Sequence, residues 1–375
     1  MARVDAFLDL LIKQGGSDLH LISGNAPRLR LLGEIHPVKY RELTTQETTQ
    51  LVNEIMPAHV SEKFQQRGGV DFAYEISEQS RFRVNVFRHF DGVGAVFRLI
   101  PTHIPSLSEL KLPQVIKNLV RQRRGLILAT GPTGSGKTTT LASMVNQINQ
   151  DRHGHIITIE DPVEYVHQNQ KCLISQRELG LHVNSFSDAL HSALREDPDV
   201  ILVGEMRDLE TISMALTAAE MGILVFATLH TNGAATTVDR IINAFPASDQ
   251  PYIRTMLSTS LCGIISQQLL RTSDNKSRIA AVEILINNSA VANIIREGKI
   301  DQLENIVQGG ALQGMQSMDT VLRRYLDEKI ITGNEAYRVA RNKSAFEQYR
   351  EADDLTSTDM PSSSSTTGKS QFSTK

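Results

Sequence analysis

Residues 131–138 read Gly-Pro-Thr-Gly-Ser-Gly-Lys-Thr, a glycine-rich run ending in an amine and a hydroxyl. That spacing suits a phosphate cradle. Glycines let backbone N–H groups turn inward, and a helix beginning at the lysine adds its partial positive charge. The binding set is then Gly131, Pro132, Thr133, Gly134, Ser135, Gly136, Lys137, Thr138 and Thr139, with Lys137 on the β- and γ-phosphates and the Thr138 hydroxyl on a Mg²⁺ ion. Downstream, acids stand at the ends of apolar runs: Glu160, Asp161 and Glu164 after residues 155–159, and Glu205 after residues 199–204. His230 closes a further apolar run, residues 223–229. Phosphoryl transfer to water needs a metal to neutralise phosphate oxygens and a group that positions or deprotonates the water. Glu205 suits contact with the metal's hydration shell, Glu164 is the choice for the base with Glu160 as its rival, and His230 would hydrogen-bond the γ-phosphate. The chemistry implied is Mg²⁺-dependent hydrolysis of a nucleoside triphosphate.

Each of these residues also has a plainer reading. A glutamate after a strand serves as a helix cap or sits in a solvated turn, and His230 alone reads equally well as a structural histidine. Arg81 and Arg83 alternate with Phe82 and Val84, and Arg98 follows after the next turn. They form either a solvated face with cross-strand charge pairs or a source of positive charge for the γ-phosphate, as arginine fingers are.

These side chains need a sheet to converge. Residues 125–130 are a short apolar run before the glycine loop, and residues 139–146 carry apolar positions at helical spacing. Strand, loop and helix therefore follow in the required order. Further strands at 155–159, 199–205 and 223–229 alternate with helices at 185–196 and 208–221. This series predicts an α/β fold with a mostly parallel sheet, whose ligands bind beyond the carboxyl ends of the strands. Before it, residues 1–14 and 44–66 read as helices, with a capping signal at Thr44–Glu47. Residues 17–21, 29–35, 70–76, 81–88 and 94–100 read as strands, giving an α+β unit. The expected domains are 1–100, a two-proline linker at 101–111, 112–350 with residues 250–350 mostly helical, and a disordered polar tail at 351–375.

The chain has 375 residues, two distant cysteines (Cys172 and Cys262) and a net charge of −3. Two domains are the expectation at this length, and a zinc ribbon or disulfide framework is excluded. No basic run marks a nucleic-acid binder, and no apolar run has the length to span a bilayer. A cytoplasmic protein is expected, with no nucleic acid bound and no direct membrane insertion.

Taken together, the motifs resemble the secretion ATPase superfamily, and within it the pilus-retraction ATPases of the PilT/PilU type. The residues that carry the likeness are Gly16-Ser17-Asp18-Leu19-His20-Leu21, Arg81-Phe82-Arg83-Val84-Asn85, the loop 131–138, and Ile159-Glu160-Asp161-Pro162-Val163-Glu164-Tyr165. To these add the runs 199–208, 227–232 and 309–319. The resemblance implies a PAS-like N-terminal domain, a RecA-like ATPase domain and a homohexameric ring. Nucleotide would lie between the domains, reached by Arg81, Arg83 and Arg98, with Glu164 as base. It also implies docking at the cytoplasmic face of the inner membrane on a pilus platform protein, from which pilins are withdrawn during twitching motility, and a paralogous retraction ATPase as a further partner. Residues 291–297, Val-Ala-Asn-Ile-Ile-Arg-Glu, depart from the retraction signature Ala-Ile-Arg-Asn-Leu-Ile-Arg-Glu by lacking its first arginine. An accessory PilU-like subunit is therefore an alternative. A RecA-like nucleic-acid translocase is a further alternative, and a non-hydrolysing ring subunit another.

Overall fold

The computed structural model describes residues 2–31, 33–77, 80–100 and 103–350. The expected tail at 351–375 and the linker residues 101–102 lie outside them.

The N-terminal part begins with helix α1 (Asp5–Lys13), which buries Leu8 and Leu11. Strands β1 (Asp18–Ile22), β2 (Arg28–Leu31) and β3 (Glu34–Pro37) follow. Helix α2 (Thr45–Asn53) starts at Thr44, whose hydroxyl accepts the Glu47 N–H while the Glu47 carboxylate accepts the Thr44 N–H. This reciprocal cap is the one its sequence calls for. The single helix expected over 44–66 is instead two. Pro57 cannot continue the helical hydrogen bonding and pushes Met56 out of helical conformation, so α3 (Ala58–Arg67) starts afresh. Strands β4 (Gly69–Ser77), β5 (Ser80–His89) and β6 (Gly92–Ile100) complete a six-stranded antiparallel sheet in the order β3-β2-β1-β6-β5-β4. Alternation on β5 drives Phe82, Val84 and Val86 into a core with Leu19, Leu21 and Phe97, all fully buried. Truncating one of those phenylalanines to alanine costs about 3–5 kcal/mol.

Helix α4 (Val115–Val120), strand β7 (Gly125–Thr130) and helix α5 (Lys137–Asp151) come next, then strands β8 (Gly154–Glu160) and β9 (Cys172–Glu178). Helix α6 (Phe186–Ala193), strand β10 (Val200–Val203), helix α7 (Leu209–Glu220), strand β11 (Leu224–Leu229) and helix α8 (Ala234–Ile242) continue the alternation. After helix α9 (Gln250–Ser260), residues 250–350 are not the helical stretch expected. Strands β12 (Leu261–Arg271) and β13 (Arg278–Ile286) form an antiparallel hairpin. Most of β12 is buried, so its apolar run has no alternation to distinguish a strand from a helix. Helices α10 (Ser289–Glu297), α11 (Leu303–Gly309), α12 (Met318–Asp327) and α13 (Gly333–Val339) end the described chain, apart from short 3₁₀ turns.

The chain divides into two compact units, Met1–Glu109 with Thr138–Glu205 and Leu110–Lys137 with Met206–Lys375. In the first, β8 pairs in parallel with both β9 and β10. In the second, β7 pairs in parallel with β11 and β12, and β13 lies antiparallel outside β12. The architecture is therefore mixed α/β, an N-terminal antiparallel-sheet domain followed by a parallel-rich sheet domain with helices.

Candidate active site

In the second unit, β7 is buried along its whole length and ends at Thr130, immediately before the glycine loop. The loop is moulded against β12. Gly131 has φ +137°, and a Cβ there would lie 2.2 Å from the Gln267 carbonyl oxygen. Gly136 has φ +87°, and a Cβ there would lie 2.7 Å from Gln267 Nε2. That amide donates to the Ser135 carbonyl at 2.7 Å. Lys137 Nζ is buried within the loop, donating to the carbonyls of Gly131 (2.8 Å) and Pro132 (2.9 Å). Thr133 and Gly134 are exposed at the rim, and Pro132 is half-buried. Helix α5 begins at Lys137, so the positive end of its dipole faces the loop. A glycine-rich cradle with an ammonium group and a helix start fits a polyphosphate.

His230 is exposed just beyond the buried strand β11. The turn it opens is fastened from β12: Ser266 Oγ accepts the Gly233 N–H at 2.8 Å, and Gln268 Nε2 donates to Asn232 Oδ1 at 3.2 Å. Successive strand residues face opposite ways. Ser266 and Gln268 therefore hold the His230 turn while Gln267, between them, holds the glycine loop. Sequence reasoning missed all three residues, because they sit inside a run that reads as helix.

In the first unit, Glu160 ends β8 and is only 6% exposed. Burial pushes its carboxyl above the ordinary range, opposed by hydrogen bonds from Thr158 Oγ1 (2.7 Å), Gln176 Nε2 (3.2 Å) and the Glu164 N–H. Its hydrogen-bonding capacity is thus taken up. Glu164, by contrast, is half-buried, and Asp161 is exposed. The loop carrying them is pinned to β9: Glu178 Oε2 accepts the Val163 N–H at 3.1 Å, and Gln176 Nε2 donates to the Tyr165 carbonyl at 2.9 Å. Tyr165 OH meets Thr139 Oγ1 at 3.0 Å, tying the loop to the first turn of α5, where the neighbouring Thr138 is exposed. Strand β9 was not expected, since its half-buried face gives no clean alternation.

Glu205 is half-buried two residues beyond β10. A Cβ on Gly204 would lie 3.1 Å from the Ile159 carbonyl and 3.2 Å from Glu160 Cα. That close approach sets Glu160 and Glu205 on one sheet edge. Asp208, at the end of the same acidic run, caps α7 by accepting the Thr211 N–H. Among the described residues, no group of three or more His, Cys, Asp or Glu side chains could hold a metal ion.

The three arginines occupy different settings. Arg30, Asp18, Arg98 and Arg83 form one cross-strand row on β2, β1, β6 and β5. Asp18 is buried and accepts from Arg98 Nε at 2.8 Å, with Arg30 at 3.6 Å. Burial pushes the Asp18 carboxyl up, but hydrogen bonds from Ser17 and Arg98 outweigh it and hold it below the ordinary range. Arg98 thus serves Asp18, although its side chain stays 65% exposed. Arg83 pairs with Asp71 at 3.6 Å and lines a cavity of about 130 Å³ with Ile100, Asp161, Val163 and Glu178. Arg81 lies 3.7 Å from Glu178 and 3.4 Å from Glu75. Its buried Nε makes no hydrogen bond despite the second approach. Arg83 therefore lines a cavity with the loop that carries Glu164, Arg81 approaches Glu178, which pins that loop, and Arg98 is held at Asp18.

Comparison with known proteins sets this geometry in a family. The model of the family described as Type II/IV secretion system protein matches residues 2–360. A twitching motility protein of Neisseria gonorrhoeae is 51% identical over 320 residues, covering 85% of this chain and 86% of that one. The type IV pilus retraction ATPase PilT of Pseudomonas aeruginosa is 46% identical, covering 89% and 97%. The PilU ATPase of the same organism is 40% identical, covering 88% and 87%. A crystal structure of the pilus retraction motor PilT with bound ADP superposes with a TM-score of 0.87 at 43% identity, covering 93% of this chain and 99% of that one. The chain belongs to the type II/IV secretion system protein family.

Proposed function

We propose that this chain is the ATP-hydrolysing motor of type IV pilus retraction. The observation that carries the reading is the likeness along nearly the whole chain to the ADP-bound PilT motor, together with a glycine cradle built to the same end. The higher identity to PilT than to PilU favours the principal motor over the accessory subunit.

In this reading the glycine loop and the α5 N-terminus bind the phosphates, and Lys137 exchanges its two loop carbonyls for β- and γ-phosphate oxygens. A Mg²⁺ ion, when bound, neutralises charge on those oxygens. Thr138 would hold it directly and Glu205 through its water. Glu164 takes a proton from the attacking water. Its half-buried carboxylate supports that role over Glu160, which is buried and bound by three donors. His230 contacts the γ-phosphate and senses its loss. Arg81 and Arg83 supply positive charge, Arg83 from the cavity it shares with the acid loop and Arg81 from beside Glu178, which pins that loop; Arg98 is the third such arginine, held at Asp18.

The working assembly is a homohexamer of two-domain subunits, with boundaries near residues 100 and 112, docked on a platform protein at the cytoplasmic face of the inner membrane. No helix among the described residues is long and apolar enough to cross a membrane, which suits attachment through a partner. The test is genetic. Cells carrying Lys137→Ala should accumulate surface pili and lose twitching. Normal retraction in that strain would contradict the proposal.

A further inference from the structure

We propose that Arg341, remote in sequence from every site residue above, positions the turn carrying His230 and acts through the buried carboxylate of Glu283. The inference rests on the reading that His230 faces the γ-phosphate.

The turn from His230 to Gly233 joins β11 to α8, and Gly233, at φ +102°, has no side chain with which to cap that helix. The cap comes from elsewhere. Glu283 on β13 is 3% exposed, and its Oε1 accepts the Ala234 N–H at 2.8 Å. Its Oε2 takes the Met318 N–H at 3.4 Å. Arg341 Nη2 donates to the same Oε1 at 2.9 Å and to the Asn232 carbonyl at 3.4 Å, while Nη1 donates to Glu304 at 3.0 Å. A Cβ on Gly233 would fall 1.3 Å from Arg341 Nη2, so the guanidinium lies flush against the turn's backbone. Arg341 is itself held, since its N–H and that of Asn342 donate to the two carboxylate oxygens of Asp319 at 2.8 and 3.0 Å. A series of contacts thus runs from α12 through Arg341 and Glu283 to the turn.

Only a guanidinium matches this geometry. An anion as buried as Glu283 is stable at a helix start when a cation neutralises it; alone, it moves toward water. That movement releases the Ala234 N–H, four residues from His230. The cavity of about 380 Å³ beside Arg341, lined by Ala235, Leu303 and Val307, leaves room for such a movement. Displacement of a reacting group by about 1 Å can lower turnover by about 10²-fold. The glycine loop is held separately, by Gln267. Loss of Arg341 should therefore appear in kcat and leave ADP binding nearly intact.

The experiment uses the full chain, measuring steady-state phosphate release and the Kd for a fluorescent ADP. Arg341→Ala should lower kcat at least about tenfold with Kd within about threefold, the mark of an interaction made in the transition state. Because the two residues act as a unit, Arg341→Ala combined with His230→Ala should be no slower than His230→Ala alone. Arg341→Lys, which reaches Glu283 but cannot also span Asn232 and Glu304, should fall between Ala and wild type, at least about threefold below the latter. That variant carries the test if Arg341→Ala fails to fold. Active wild type with Arg341→Ala or Arg341→Lys at the wild-type kcat would overturn the inference, as would losses that multiply in the double variant. Absence of phosphate release by wild type would instead sink the hydrolase reading, and this inference with it.

Discussion

Alanine at Gly131 and alanine at Gly134 probe the phosphate loop in different ways, and the contrast follows from the geometry. Gly134 has φ +77°, and a Cβ there would have nothing within 4 Å of it. Its substitution costs only the left-handed backbone, about 1–2 kcal/mol. Gly131 has φ +137°, outside that region, where a side chain costs about 1–3 kcal/mol. Its Cβ would also press on the Gln267 carbonyl at 2.2 Å and on Ser135 Oγ at 2.8 Å. The first contact is backbone on β12, which cannot rotate away, so overpacking adds about 1–3 kcal/mol. Gly131→Ala should thus be the worse of the two by about 2 kcal/mol, which for domains of this size lowers the melting midpoint by about 4–8 °C. Melts followed by circular dichroism without nucleotide measure that gap. Repeating them with ADP should raise the midpoint for wild type and not for Gly131→Ala. Equal melting of the two variants would refute the packing of the loop on β12.

Two further predictions concern buried ionisable groups. His167 is buried, and desolvation lowers its pKa to about 4. A histidine depressed from 6.5 to about 4 contributes stability that is full above pH 6.5 and lost as pH falls toward 4. The loss approaches about 3 kcal/mol at 1.36 kcal/mol per pK step. Acid melts should show it, and His167→Gln should flatten the profile; parallel profiles would contradict this. Asp18→Asn should cost about 1–3 kcal/mol, since Arg98 and Arg30 lose the buried anion they share. Because the Asp18 pKa is lowered, that contribution is present above the ordinary carboxylate range and lost as pH falls through the folded value. Urea unfolding of the variant at pH 7 and at acid pH measures both, and equal stability of variant and wild type at pH 7 would dispose of the account.

What could be read from the sequence was what is local. The glycine loop, the Thr44 cap and the strands closing on Glu160, Glu205 and His230 all announce themselves within a few residues. What escaped was supplied at long range. Gln267 braces a loop more than 130 residues away, and Glu283 caps a helix that its own neighbourhood does not contain. Strand β12 hid because burial removed its alternation, and β9 hid because only part of one face is buried. Arg98 shows a different limit. Its strand position was legible, but its tie to Asp18 required the register of β1 against β6.

The central claim is that the acid loop carries the base for hydrolysis at the glycine cradle, and single-turnover phosphate release from bound ATP tests it most directly. Replacing Glu164 with Gln should slow that release by about 10²-fold or more, the usual contribution of a positioned base, while ATP still binds. Lys137→Ala should abolish binding itself. Release from Glu164→Gln at the wild-type rate would contradict the assignment.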